Sequence, residues 1–118
     1  MKRVLVVDDE PAVRALIAAS LEGSGCEVAT AGDGARAFES LRRRRPDLIL
    51  LDLALPGMSG CEVLRRLRAD ASTAAIPVLL LTGLDPPEEI VPDGVLRKPF
   101  TPALLRQSVA AWLGRAPV

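Results

Sequence analysis

Three unbroken apolar tetrads punctuate the chain: Val4-Leu5-Val6-Val7, Leu48-Ile49-Leu50-Leu51 and Val78-Leu79-Leu80-Leu81. Such runs mark strands covered on both faces, as in a parallel sheet. Two weaker strand signals, Cys26 to Thr30 around Val28 and the pair Val95-Leu96, bring the number to five. Between them the apolar period changes. Val13, Leu16, Ile17 and Leu21 recur at helical spacing behind Pro11, which suits a first helical turn, and Gly23 and Gly25 close that helix. Gly32-Asp33-Gly34 reads as a turn into a helix from Ala35 to Arg44 that buries Phe38 and Leu41 and stops at Pro46. Val63, Leu64 and Leu67 form a third stripe, with Arg65, Arg66 and Arg68 on its wet side. Thr101 caps, and Pro102 opens, a last helix carrying Leu104, Leu105, Val109, Trp112 and Leu113 on its apolar face.

Strands alternating with helices predict an α/β architecture, a parallel sheet with helices on both faces and right-handed crossovers. A chain of 118 residues is expected to form a single domain over residues 1–118. Gly114 to Val118 reads as a natural end or the start of a linker. In open sheets of this kind functional groups collect at the carboxyl ends of the strands. The first tetrad runs into Asp8-Asp9-Glu10, the second into Asp52, the third into Thr82, and the last strand into Lys98-Pro99.

That convergence carries chemistry. Clustered carboxylates repel one another, and a divalent cation relieves the repulsion; hard oxygen donors select Mg²⁺ or Mn²⁺. Lys98 offers a compact charge for a phosphoryl oxygen, Thr82 a hydroxyl for another, and Asp52 a carboxylate that can accept the phosphoryl group as an acyl phosphate. The chain holds 15 Lys and Arg, of which only Lys2 and Lys98 are lysines, so a slim ammonium at 98 stands out. Taken singly each residue has a plainer reading: Asp8-Asp9 as a helix cap, Asp52 as a strand-end turn, Lys98 as a solvated side chain, Thr82 as a strand residue. The run Arg42 to Arg45 reads as a solvated helix C-terminus, where the dipole favours cations.

Composition narrows the rest. Net charge is zero, so nothing draws this domain electrostatically to nucleic acid. There is no histidine, which excludes a Ser-His-Asp triad and a His-ligated zinc. Cys26 and Cys61 read as small core residues in a reducing compartment. No apolar run nears the roughly 20 residues of a membrane span. Met1-Lys2-Arg3 leads into only four apolar residues before acid, unlike a signal peptide, and a cytoplasmic location is expected.

Four segments together resemble the receiver domain of two-component response regulators: Val4 to Glu10, Leu51 to Gly60, Leu81-Thr82-Gly83 and Leu96 to Phe100. The resemblance covers the whole chain. It implies a flavodoxin-like, CheY-like sheet of order 2-1-3-4-5, with Asp52 as phosphoacceptor. It implies Asp8, Asp9, Asp52 and the Ala54 carbonyl as ligands of Mg²⁺, with Thr82 and Lys98 on the phosphoryl group and a cis Lys98-Pro99 bond. The donor would be a histidine kinase or a histidine phosphotransfer protein, and the signal would pass to an output domain or partner protein. The domain would catalyse its own phosphorylation and dephosphorylation without being a turnover enzyme.

Three features depart from the family pattern. Val95 stands where Tyr or Phe is usual. Only 15 residues separate Thr82 from Lys98, so a fourth helix is expected to be shortened or irregular, with at most one or two turns near Pro87 to Val91. Ala54 and Leu84 each stand two residues beyond Asp52 and Thr82 and cannot polarise an attacking water. These departures keep open a receiver-like interaction module that is never phosphorylated. A phosphatase working through an aspartyl phosphate is disfavoured by Ala54, where such enzymes resemble one another in carrying a second acid. A dinucleotide site is disfavoured by acids where glycines would be needed.

Overall fold

A computed structural model describes residues 1–114; residues 115–118, most of the expected end or linker, lie outside the described residues. Five parallel strands, β1 (Lys2–Val7), β2 (Cys26–Ala31), β3 (Leu48–Asp52), β4 (Val78–Thr82) and β5 (Gly94–Arg97), form one sheet in the order β2-β1-β3-β4-β5. Four helices accompany them: α1 (Pro11–Leu21), α2 (Gly34–Arg43), α3 (Gly60–Ala69) and α4 (Pro102–Leu113).

The tetrads behave as the pattern requires. Every residue of β3 and β4 is buried, because a central parallel strand meets a helix layer on each face. Side chains alternate between two cores. Leu5, Val7, Ile49, Leu51, Val78 and Leu80 pack with Ala37 of α2 and Val63, Leu64 and Leu67 of α3. Val4, Val6, Leu48, Leu50, Leu79 and Leu81 pack with Ile17 and Leu21 of α1 and Leu105 and Val109 of α4. Three helices carry side-chain caps: Asp33, Ser59 and Thr101 accept from Arg36, Glu62 and Leu104 main-chain N–H groups at 2.8, 3.2 and 3.1 Å.

Several details differ from the pattern. Between β4 and β5 there is no helix among the described residues. Residues 83–93 form bends and one turn at Glu88-Glu89, where Ile90 N–H reaches the Pro87 carbonyl at 3.3 Å. Pro86, Pro87 and Pro92 remove the donors a helix would need. Leu16 and Leu104 lie at the edges of their stripes and are 42% and 43% exposed. Phe38 and Leu41 are half-buried against their core. Arg68 is drawn inward rather than left wet. It donates to the Ala74 and Ile76 carbonyls at 3.1 and 2.9 Å and to Asp93 at 2.5 Å. Cys26 and Cys61 are both half-buried free thiols, not core residues.

Candidate functional site

The register places the chemical groups at one edge. Val7 pairs with Leu51, Asp52 with Leu81 and Thr82 with Arg97, so β1, β3, β4 and β5 all end on the same rim. Asp8 follows β1 and its N–H bonds the Ala31 carbonyl at 3.1 Å; Lys98 follows β5 and its N–H bonds the Thr82 carbonyl at 2.9 Å. The Lys98-Pro99 bond is cis.

Lys98 joins the acids. Its Nζ donates to Asp8 Oδ2 at 2.8 Å and to Asp52 Oδ2 at 3.3 Å. Asp8 is wholly buried and Asp52 nearly so, at 0% and 5% exposed. The other oxygen of each is held locally: Asp8 Oδ1 accepts from Glu10 N–H at 2.9 Å and Asp52 Oδ1 from Ala54 N–H at 3.1 Å. Burial raises the Asp52 carboxyl above its ordinary value; the Ala54 N–H opposes this, the Asp8 charge adds to it, and Lys98 pulls it back. Burial alone would lower Lys98, but the hydrogen bond and charge of Asp8, with those of Asp52, prevail and raise it.

Asp9 and Glu10 are exposed beside these groups. One carboxylate oxygen each from Asp8, Asp9 and Glu10 can lie within 4.8 Å of one another. That all-oxygen, multiply anionic donor set fits a hard divalent cation such as Mg²⁺ or Mn²⁺. Glu10 belongs to this tight trio, whereas Asp52 meets Asp8 through the shared ammonium of Lys98.

A cleft of 530 Å³ opens over the rim, and Asp9, Asp52, Ala54, Thr82 and Lys98 all line it. Leu84 lines the cleft as well, and so does a neighbour that carried no sequence signal for the site: Cys61, from the first turn of α3. Thr82 is oriented differently from expectation. Its Oγ1 donates to the Leu84 carbonyl at 2.9 Å and accepts from Leu84 N–H at 3.0 Å, so its proton is engaged with the loop. A slightly larger hollow of 570 Å³ lies between α3 and residues 89–93, away from the acids. Its two arginines are already paired, Arg68 with Asp93 and Arg65 with Glu62, so the acid rim is the candidate site.

Gly60 fixes how closely α3 approaches the central acid. A Cβ there would meet the Asp52 carbonyl oxygen at 2.4 Å and Leu53 Cα at 2.6 Å, and Gly60 N–H bonds the Leu53 carbonyl at 3.0 Å. Only glycine lets the helix seat against the Asp52 backbone.

The family model of the response regulator receiver domain matches residues 4–110. The DNA-binding response regulator MtrA of Mycolicibacterium smegmatis is 41% identical over 97% of this chain and 51% of its own length. The chain thus spans about half the length of the curated relatives it matches. Among solved structures, chemotaxis response regulator CheY4 of Vibrio cholerae is 32% identical with a TM-score of 0.87, over 95% of this chain and 98% of that one. The receiver domain of sensor histidine kinase PA1611 from Pseudomonas aeruginosa, with magnesium coordinated in its active site cleft, is 30% identical with a TM-score of 0.87, over 97% and 98%.

Proposed function

The chain belongs to the response regulator receiver family of two-component signalling, and from that premise we propose that Asp52 accepts a phosphoryl group and Lys98 and Thr82 hold it. One observation carries the reading: a single ammonium bridges two buried carboxylates that come from strands 44 residues apart in sequence, Asp8 and Asp52. Burying these charges is costly even when they are paired, and buried charge clusters of this kind gather at functional sites.

In the proposed reaction an Asp52 oxygen attacks the phosphorus of a phosphohistidine. The new P–O bond forms as the P–N bond breaks, and the imidazole leaves with a proton from solvent. Lys98, already 3.3 Å from Asp52, turns its charge to a phosphoryl oxygen. Thr82 can donate to another only by releasing the Leu84 carbonyl, so occupancy of Asp52 is felt by the loop at once. Asp8, Asp9, Asp52 and the Ala54 carbonyl would hold Mg²⁺ or Mn²⁺, which supplies charge neutralisation for the acids and the phosphoryl oxygens. Water later attacks phosphorus, releases inorganic phosphate and restores the carboxylate. Ala54 and Leu84 give that water no polar partner, which slows the return.

The donor we propose is a histidine kinase or histidine phosphotransfer protein. An apolar hollow of 360 Å³ beside Lys98, lined by Val13, Leu16, Pro99 and Phe100, offers it a seat. The signal passes to an output domain or partner protein. With net charge zero the domain itself is assigned no nucleic-acid partner. No described helix is long and apolar enough to cross a membrane, and the setting we propose is cytoplasmic. The domain works on itself and turns over no separate substrate. The second reading, an unphosphorylated interaction module, draws on the loop 83–93 and Val95, which leave the buried acid pair intact. Acetyl phosphate with Mg²⁺ followed by intact mass measurement decides: wild type should gain about 80 Da, with no gain in EDTA or in Asp52→Asn. Equal masses throughout would leave only the interaction module standing.

A further inference from the structure

The carbonyl of Asp8 has an unusual need. It sits where β1 gives way to α1, and the residue that would close a turn on it, three positions on, is Pro11, which has no N–H. Arg14 fills the place from inside α1. Its Nη1 donates to the Asp8 carbonyl at 2.7 Å, while its main-chain N–H donates to the Glu10 carbonyl at 3.1 Å. One residue thus ties both ends of the Asp8-Asp9-Glu10 turn. Room for the guanidinium comes from the neighbouring turn after β2. A Cβ on Gly32 would stand 3.3 Å from Arg14 Nη1, tighter than an ordinary contact, and 3.7 Å from Cζ.

We propose that Arg14, seated against Gly32, is a positioning residue that sets the geometry of the acidic turn for a divalent cation. The inference rests on the metal-holding role proposed for Asp8 and Asp9. Charge alone argues the opposite effect, since a cation beside an acidic trio weakens its hold on a second cation. The geometry resolves the conflict. Arg14 bonds the main chain of Asp8, whereas the Asp8 carboxylate turns to Lys98 and to Glu10 N–H. Its effect is therefore orientation of the ligands, as with outer partners that aim metal-binding side chains.

The test titrates Mg²⁺ into wild type, Arg14→Gln, Arg14→Lys and Gly32→Ala, following rim amide resonances by NMR, with melting curves in EDTA alongside. Arg14→Gln should weaken Mg²⁺ binding about tenfold. Arg14→Lys should recover part of the loss, because an ammonium can still reach one carbonyl. Gly32→Ala, with Arg14 intact, should show a smaller weakening. Phosphorylation by acetyl phosphate should fall at low Mg²⁺ and return at saturating Mg²⁺. Unchanged or tighter Mg²⁺ binding in Arg14→Gln, with only the melting temperature lowered, would overturn the proposal and leave Arg14 a structural brace. If Arg14→Gln fails to fold, unchanged binding in both Arg14→Lys and Gly32→Ala would overturn it instead. A wild type that binds no Mg²⁺ overturns the metal-holding role itself, and the inference with it.

Discussion

The two halves of the rim are built by different means. On the β1–β3 side the acids stand at the buried ends of two strands, braced by Gly60 pressed on the Asp52 backbone and by Arg14 on Asp8. On the β4–β5 side the connection from Gly83 to Asp93 is helix-free, and polar ties hold it at its ends. Arg97 pairs with Asp85 at one end. At the other, Asp93 Oδ2 accepts from Arg68 at 2.5 Å and from Val78 N–H at 2.7 Å. Close packing holds a carboxylate in one position; side-chain ties can exchange partners. The first construction suits the chemistry, and the second suits reporting it. Thr82 joins them, because its hydroxyl bonds Leu84 at the start of the loop.

Perturbing the packed side should cost most. Gly60→Ala drives a Cβ into main-chain atoms and should destabilise the fold by about 3 kcal/mol, read by denaturant unfolding; a loss under half that size would show that α3 can shift aside cheaply. Lys98→Met strands the buried Asp8 carboxylate and should cost about 2 kcal/mol at neutral pH. The sign with pH follows from the raised Lys98 value. Its stabilisation is fully present below the ordinary 10.5 and is lost as pH climbs through the raised value, so wild type and variant should converge only in strong alkali.

Effects on the loop side should be smaller. Asp93→Ala removes the acceptor for both Arg68 and the Val78 N–H and should cost about 1 kcal/mol, with amide exchange quickening in 84–93 but not around Asp52. Protection lost equally at Asp52 would mean the two halves are one unit. Back on the packed side, Asp52→Asn should act the other way, raising the melting temperature by a few degrees in EDTA at neutral pH. Because burial raises the Asp52 carboxyl, ionising it costs stability as pH rises through that range, and protonation relieves it. Wild type and variant should therefore meet below the ordinary 3.8; a gap that persisted there would point to packing instead. Asp85→Ala removes a pair whose acid is 85% exposed and should leave stability unchanged. A measurable loss would show that the loop depends on both of its ties.

The difference between the halves is also the difference in what the sequence disclosed. Buried parallel strands announce themselves as apolar runs, and their ends carry the acids, so a parallel sheet with Asp8, Asp52, Thr82 and Lys98 on one edge could be read in advance, while the strand order came only from the resemblance to receiver domains. The loop could not. Three prolines argued for a short helix and in fact leave none, and the tie that anchors the loop, Arg68 to Asp93, joins partners 25 residues apart with no periodic signal. Arg14 escaped for the same reason: its partner is a main-chain carbonyl, invisible in a pattern of side chains. Leu16 and Leu104 matched a helical stripe yet emerged to solvent, Leu16 beside Phe100 and Lys98, because periodicity places a residue on a face and not at its depth. Cys61 fits the apolar type expected of a core, but its place in the first turn of α3 opens it to the cleft.

The most direct measurement locates the modified atom. Wild type treated with acetyl phosphate and Mg²⁺, then reduced with borohydride and digested, should yield a peptide carrying homoserine at position 52, the product of reducing an aspartyl phosphate. Homoserine at Asp8 or Asp9, or none at any aspartate in a protein that binds Mg²⁺, would contradict the assignment of Asp52 as the acceptor.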